Sequence, residues 1–160
     1  MLRYSIQEIR DYLRTLYWPT LAPDQPVPPL LLTPYAYTLT FAVAQNASQT
    51  LIQTITSNAD FLLLGLRHRA NIAAAQNVST KTAPFARVMI IDSGSNEQFT
   101  QAATDLENIS ENGNVARNLP FPRLIRGKSS LSVTVSNYAP VVETYGLDIC
   151  FEGINVRLYN

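Results

Sequence analysis

The stretch YAYTLTFAVA, residues 35–44, decides the fold class, because its side chains alternate with a period of two. Tyr35, Tyr37, Leu39, Phe41 and Val43 fall on one face, and Ala36, Thr38, Thr40, Ala42 and Ala44 on the other. Successive side chains of a strand point to opposite sides, so this run predicts a half-buried β-strand. Runs of the same kind follow. Residues 50–56 are rich in β-branched side chains, and the turn signal SNAD at 57–60 precedes a third strand. There, Phe61 to Arg69 would place Leu62, Leu64, Leu66 and His68 on one face. Phe85 to Asp92 makes a fourth. Strands resume at Leu124, and Leu131, Val133 and Val135 alternate with Ser130, Ser132, Thr134 and Ser136. The last run spans Thr144 to Tyr159, with an interruption expected near Gly153, since glycine inside a strand often marks a bulge.

Between these runs, residues 93–118 form a polar excursion bracketed by SGSN at 93–96 and ENGN at 111–114. Long loops on compact domains are commonly functional or disordered, which makes this segment a candidate binding loop.

Working back towards the N-terminus, residues 19–34 hold six of the ten prolines, interleaved with Leu21, Val27, Leu30, Leu31 and Leu32. The prolines favour extended backbone without a regular ladder. The apolar residues give that arm a reason to lie on a surface, of its own domain or of a neighbouring subunit. Before it, Ser5 as N-cap with Glu8 three residues on matches a capping box. Ile6, Ile9, Leu13, Leu16 and Tyr17 then recur at helical spacing until Pro19. The expected architecture is all-β: a jelly-roll-like β-sandwich of about seven to eight strands with a short N-terminal helix and a Pro-rich extended arm. Residues 1–34 form the helix and arm, and 35–160 the sandwich domain.

Composition narrows the function. Formal net charge is zero, which lacks the basic footprint of a broad nucleic-acid interface and any electrostatic attraction to anionic lipid. Neither nucleic acid nor membrane is therefore an expected partner. Arginine outnumbers lysine, whose sole positions are Lys81 and Lys128. Arginine is enriched and lysine depleted at protein interfaces, so this bias suits a surface that meets partners. No signal-peptide core opens the chain and no apolar run approaches bilayer length. The glycosylation sequons at Asn46, Asn77 and Asn108 read as accidents of an Asn/Ser/Thr-rich sequence.

Reactive constellations are sparse. Cys150 is the one cysteine and lies in a strand run, as a buried structural thiol. His68 is the one histidine, flanked by Arg67 and Arg69; with Cys150 alone it cannot complete a zinc site. Asp60 lies eight residues before it, with no nucleophile elbow to complete a triad. Gly127-Lys128-Ser129 resembles the end of a phosphate-binding loop, but Pro122 stands where that motif requires glycine, so a turn is expected. Asp148 and Glu152 share a strand face and are a weak candidate for a glycosidase pair. Tyr35 and Tyr37 could stack bases, yet no basic residue lies between Arg14 and Arg67. The reading is of a non-enzymatic protein with no cofactor and no metal.

Four segments carry a resemblance to a known class: ADFLLLGL (59–66), ARVMIIDSGSNEQFT (86–100), NLPFPRLIRGKSSLSVTVSNYAP (118–140) and YGLDICFEGINVRL (145–158). Their order resembles small β-sandwich virion proteins of tailed bacteriophages, the capsid cement or decoration proteins, over about the last hundred residues. The resemblance implies a virion structural protein that binds and stabilises neighbouring major capsid subunits. It further implies assembly in the host cytoplasm and a closed homo-oligomer, a trimer in the favoured form. The N-terminal region would be the anchoring arm, with Ile9, Leu13, Leu16, Tyr17, Trp18, Leu30, Leu31 and Leu32 as possible assembly contacts. The helix would equally suit a neck or tail component, and the sandwich a receptor- or carbohydrate-binding module of a fibre.

Overall fold

The computed structural model describes residues 4–72, 78–113 and 117–159. Seven long strands build it: β1 (Leu30–Val43), β2 (Ser48–Thr54), β3 (Asp60–Ile72), β4 (Ala86–Asp92), β8 (Arg117–Ile125), β9 (Ser130–Asn137) and β10 (Tyr145–Leu158). Three two-residue strands lie between β4 and β8: β5 (Glu97–Gln98), β6 (Thr104–Asp105) and β7 (Glu111–Asn112). A 12-residue helix, α1 (Ile6–Tyr17), precedes the strands, and one turn of helix, α2 (Leu106–Ile109), sits in the excursion.

Two five-stranded sheets result. In sheet A the order is β1-β10-β3, with β8 and β7 both against β3; in sheet B it is β2-β9-β4, with β5 and β6 both against β4. The pairing is that of one long hairpin rolled up. β1 lies on β10, β2 on β9, β3 on β8, and β4 meets the short strands at the tip. That is the jelly-roll arrangement of a β-sandwich.

The alternation expected of residues 35–44 is what buries the sheets against each other. Tyr37, Leu39, Phe41 and Val43 pack from sheet A onto Val88, Ile90, Leu131, Val133 and Val135 of sheet B. On the outside of sheet B the facing residues of β2 and β9 are small hydroxyl side chains, except for exposed Ile52 opposite Ser132. Ser48 Oγ and Ser136 Oγ are 2.7 Å apart, and Thr50 Oγ1 and Thr134 Oγ1 2.8 Å.

β3 departs from strict alternation, and the departure shapes the molecule. The β10–β3 register shifts between Glu152 and Gly153, which face Gly65 and Leu63 and leave Leu64 as the extra residue of a bulge. Its cause is visible at Gly153, where a Cβ would lie 2.1 Å from the Leu62 carbonyl oxygen. The interruption expected near Gly153 is there, but its effect falls on β3. Phe61, Leu63, Leu66 and Ala70 point into the sandwich, whereas Leu62 and Leu64 turn to the opposite side. The single face expected for Leu62, Leu64, Leu66 and His68 is thereby split.

The outward-turned leucines need cover, and α1 supplies it. Ile9 and Leu13 are buried with Leu62, Leu64, Ile154 and Val156, with Leu30, Leu32 and Leu124 packed at the margins. The helix is capped as the sequence predicts: Glu8 N–H donates to Ser5 Oγ over 3.1 Å, and Ser5 N–H donates to Glu8 Oε2 over 2.6 Å. Arg14 ties it to the Pro-rich segment by donating to the carbonyls of Ala22 and Gln25.

β1 begins at Leu30, so the expected boundary between Pro34 and Tyr35 falls within a strand. Pro34 is accommodated because its nitrogen faces away from β10, where no ladder bond is needed. Two contacts fix that phase. Tyr159 N–H donates to the carbonyl of Pro29, which puts odd-numbered residues in bonding contact with β10. Ala42 N–H instead donates to Gln49 Oε1, which puts even-numbered ones on the open side.

Candidate functional site

The helix and arm residues expected to meet partners divide into two groups. Ile9 and Leu13 are buried on the chain's own sheet, and Leu30 and Leu32 pack beside them. These four make intramolecular contacts; Ile9 and Leu13 are withdrawn from the surface, and Leu30 and Leu32 are partly buried. Tyr17 is half-buried: its hydroxyl donates to the Asp60 carboxylate, and the Arg126 guanidinium lies 5.1 Å from its ring centre. Burial and the adjacent carboxylate hold the Tyr17 phenol well above its ordinary pKa, so it stays a donor. Trp18 packs beside the Tyr17 ring at 5.7 Å between centroids. Only Leu16 and Leu31 remain more than a third exposed, at 37% each.

Leu16 stands on the wall of a groove of about 550 Å3 between α1, β8 and the loop after β4. Tyr12 and Leu16 line one side, Leu119 to Leu124 the floor, and Phe99 and Ile109 the far side. The floor exists because β8 is distorted. Leu63 pairs with Arg123 and Gly65 with Asn118, so residues 119–122 bow out opposite Leu64 alone. Pro120 and Pro122 cannot donate to a ladder, and the bowed carbonyls of Leu119 and Pro122 accept instead from the hydroxyls of Tyr4 and Tyr12. Phe121, between the two prolines, is left 79% exposed. Across the mouth, Arg123 Nη2 meets Glu97 Oε2 at 2.6 Å and stacks 4.3 Å from the Phe99 ring centre. The groove is thus mostly apolar, with Asp92, Ser95 and Thr100 also in its lining and one ion pair at its rim. It suits an apolar side chain or extended segment better than a charged ligand.

The polar excursion is better anchored than its composition suggests. Leu106 is buried, and Phe99 and Ile109 pack on the core. Its Asp105 joins a second exposed cluster: Tyr138 donates to the Asp105 carboxylate, lies against Phe85 at 5.9 Å, and is capped by Arg87 at 4.8 Å.

The side chains singled out for chemistry are not brought together. His68 is buried between the sheets, its Nδ1 paired with Ser110 Oγ and its Nε2 without a partner among the described residues. Burial lowers its pKa. Cys150 is buried on the outer side of β10, next to Arg67. Asp148 and Glu152 do share the outer face of β10, but each is held by its own arginine, Arg69 and Arg67, at 2.8 Å. Four residues along one strand span about 13 Å, beyond the separation that glycosidase carboxyls use. Gly127-Lys128-Ser129 forms the turn between β8 and β9, with Lys128 at φ 68° and Gly127 N–H donating to Asp60 Oδ1 over 2.7 Å. Among the described residues no three His, Cys, Asp or Glu side chains cluster as metal ligands. No described helix is long and apolar enough to cross a membrane. Of the sequons, Asn46 and Asn108 are exposed, and Asn77 lies outside the described residues.

Tyr4, Tyr12, Phe99 and Phe121 were not among the residues marked by sequence. The one available signal was the LPFPR run at 119–123, where an aromatic between prolines cannot sit quietly in a central strand. No protein-family model matches the chain, and no curated protein is significantly similar to it.

Proposed function

We propose that the chain is a structural component of a bacteriophage virion, a capsid cement or decoration protein that binds major capsid subunits and performs no chemistry. The observation that supports this reading most is the apolar groove with Phe121 standing exposed at its edge. Contiguous apolar surface of this kind is kept exposed where another protein covers it. Pro120 and Pro122 restrict the backbone of the groove's floor, which lowers the ordering cost of association. The jelly-roll frame occurs in viral capsid and lectin domains alike, so it supports the reading only by analogy. In the proposed role the protein reaches the particle after folding in the host cytoplasm and is found on the virion.

The test is a comparison of particles carrying the protein, lacking it, or carrying Phe121→Asp. Cementing predicts that particles without it break at lower temperature and that Phe121→Asp fails to restore them. Equal heat stability of all three would overturn the proposal.

A second reading, a sugar-binding module of a fibre, is favoured by the exposed Phe85–Tyr138 pair flanked by Arg87 and Asp105. Exposed rings with neighbouring hydrogen-bonding groups suit saccharides. A glycan array on which Tyr138→Ala matches the parent chain would remove it.

A further inference from the structure

Sheet A has two open edges, and they are treated in opposite ways. At β8 the edge is closed to further strands: Pro120 and Pro122 offer no N–H, and Tyr4 and Tyr12 occupy the carbonyls of Leu119 and Pro122. At β1 no strand among the described residues pairs with the outer side. Unpaired edges are normally defended by charge, proline, bulges or brevity. β1 is fourteen residues long, runs without a register shift against β10, and bears no charge. Indeed no Asp, Glu, Lys, Arg or His occurs from Gln25 to Ala59, a span that covers both β1 and β2. This flank is uncharged in a chain where charged residues make up 15%.

The phase of β1 specifies what the edge can accept. The even-numbered residues direct N–H and C=O outward, as the bonds of Pro29 and Ala42 establish. Ala36, Thr38 and Thr40 lie in the middle and are exposed. Pro34 on one side has no N–H, and Ala42 on the other has given its N–H to Gln49. The two blocked positions are placed symmetrically about Thr38.

We propose that β1 pairs antiparallel with β1 of a second copy of this chain, about a two-fold axis at Thr38. In that register Thr38 faces Thr38 of the partner subunit, and Ala36 faces its Thr40. Each pair exchanges both backbone hydrogen bonds. Pro34 then faces Ala42, so the two positions lacking an available N–H oppose each other and waste no donor. Registers shifted by a residue or two about this axis set one of them against a free amide, and those centred on Pro34 or Ala42 leave much of β1 unpaired. A strand meeting itself about a two-fold axis brings like residues together, so charge there would repel, and this flank has none. On the inner side Tyr35, 43% exposed, would come over Phe41 of its partner, and Tyr37 over Leu39. Sheet A would run continuously across the dimer. The resemblance discussed above led to the expectation of a trimer; an isologous edge gives a dimer instead.

The test is solution mass by sedimentation, for the full chain and for Thr38→Pro and Thr38→Asp. The chain alone is 17.8 kDa, and twice that mass is expected at micromolar concentration. Thr38→Pro removes an outward N–H that β10 does not use, and Thr38→Asp sets two carboxylates across the axis. Both should give monomers with an unchanged circular dichroism spectrum. A monomeric parent chain, or a dimer that survives both substitutions, overturns the proposal. If neither variant folds, hydrogen exchange on the parent decides: the Ala36, Thr38 and Thr40 amides should slow as concentration rises, and unchanged rates refute the pairing. A mass that rises only when shell protein is added assigns the edge to a foreign strand and equally overturns it.

Discussion

Truncating Leu13 to alanine separates two roles for α1, a layer of the fold or an arm held ready for a partner. Leu13 is fully buried, and its surroundings are Leu62, Leu64, Ile154 and Val156, with Tyr17 and Leu124 nearby. Replacing a buried leucine by alanine removes its transfer free energy and leaves a cavity that closes only in part, at a cost of about 2–5 kcal/mol. The site here is bounded on one side by a single helix, which can settle towards the sheet. The lower half, about 2–3 kcal/mol, is therefore expected. For a domain of this size each kcal/mol lowers the melting temperature by about 2–4 °C, so Leu13→Ala should melt about 4–12 °C below the parent chain. Urea unfolding followed by fluorescence measures the same quantity at 25 °C, with Trp18 beside the helix as reporter. A loss below about 0.5 kcal/mol is the scale of a surface substitution. That result would mean α1 is not docked in solution, and the burial of Ile9 and Leu13 would have to come from elsewhere.

Three further outcomes are expected. His68 has a folded pKa lowered by burial, against 6.5 as its ordinary value. As pH falls below about 6.5 the unfolded chain takes the proton first, so stability should drop by up to about 1.4 kcal/mol per pH unit until the folded form also protonates. Urea midpoints between pH 8 and pH 5 should show this slope, and His68→Gln should remove it, since the chain has no other histidine. Gly153→Ala drives a Cβ against the Leu62 carbonyl and should cost more than about 2 kcal/mol, near the upper range for point substitutions; a variant that melts with the parent would mean the bulge can move. Asp60→Ala strands Tyr17, Arg126 and the Gly127 amide at once, and a loss of about 1–3 kcal/mol in chemical denaturation is expected; no loss would mean that water replaces the carboxylate.

How far the sequence could be read depended on the range of the cause. The capping box at Ser5 and Glu8 and the alternation of β9 are local, and both appear where the spacing predicts them. Gly153 was a local sign of a non-local event: the glycine is in β10, while the residue it displaces is Leu64 in β3. Nothing in FLLLGL itself tells which of its leucines faces which layer, because the flip depends on a strand some ninety residues away. Pro34 concealed the start of β1, since a proline argues against a strand unless its nitrogen is known to face an open edge. The groove is least readable of all. Its walls come from α1, β8 and the loop after β4, three segments that only the completed roll brings side by side.

The rolled hairpin also sets the order in which the chain can become safe. Among the described residues β1 has a single partner, β10, whose pairing joins Leu30 to Leu158 across nearly the whole sequence. During synthesis β1 must wait until residues as far as Leu158 have left the ribosome. A sheet closed by contacts so distant in sequence forms slowly, and until it closes both sides of an uncharged, β-prone strand lie bare. Pro34 stands near the start of that exposed strand, and the prolines at 19–29 lie just upstream of it. Proline cannot donate to a ladder, so these residues shorten the stretch of nascent chain that is able to pair with a wrong strand.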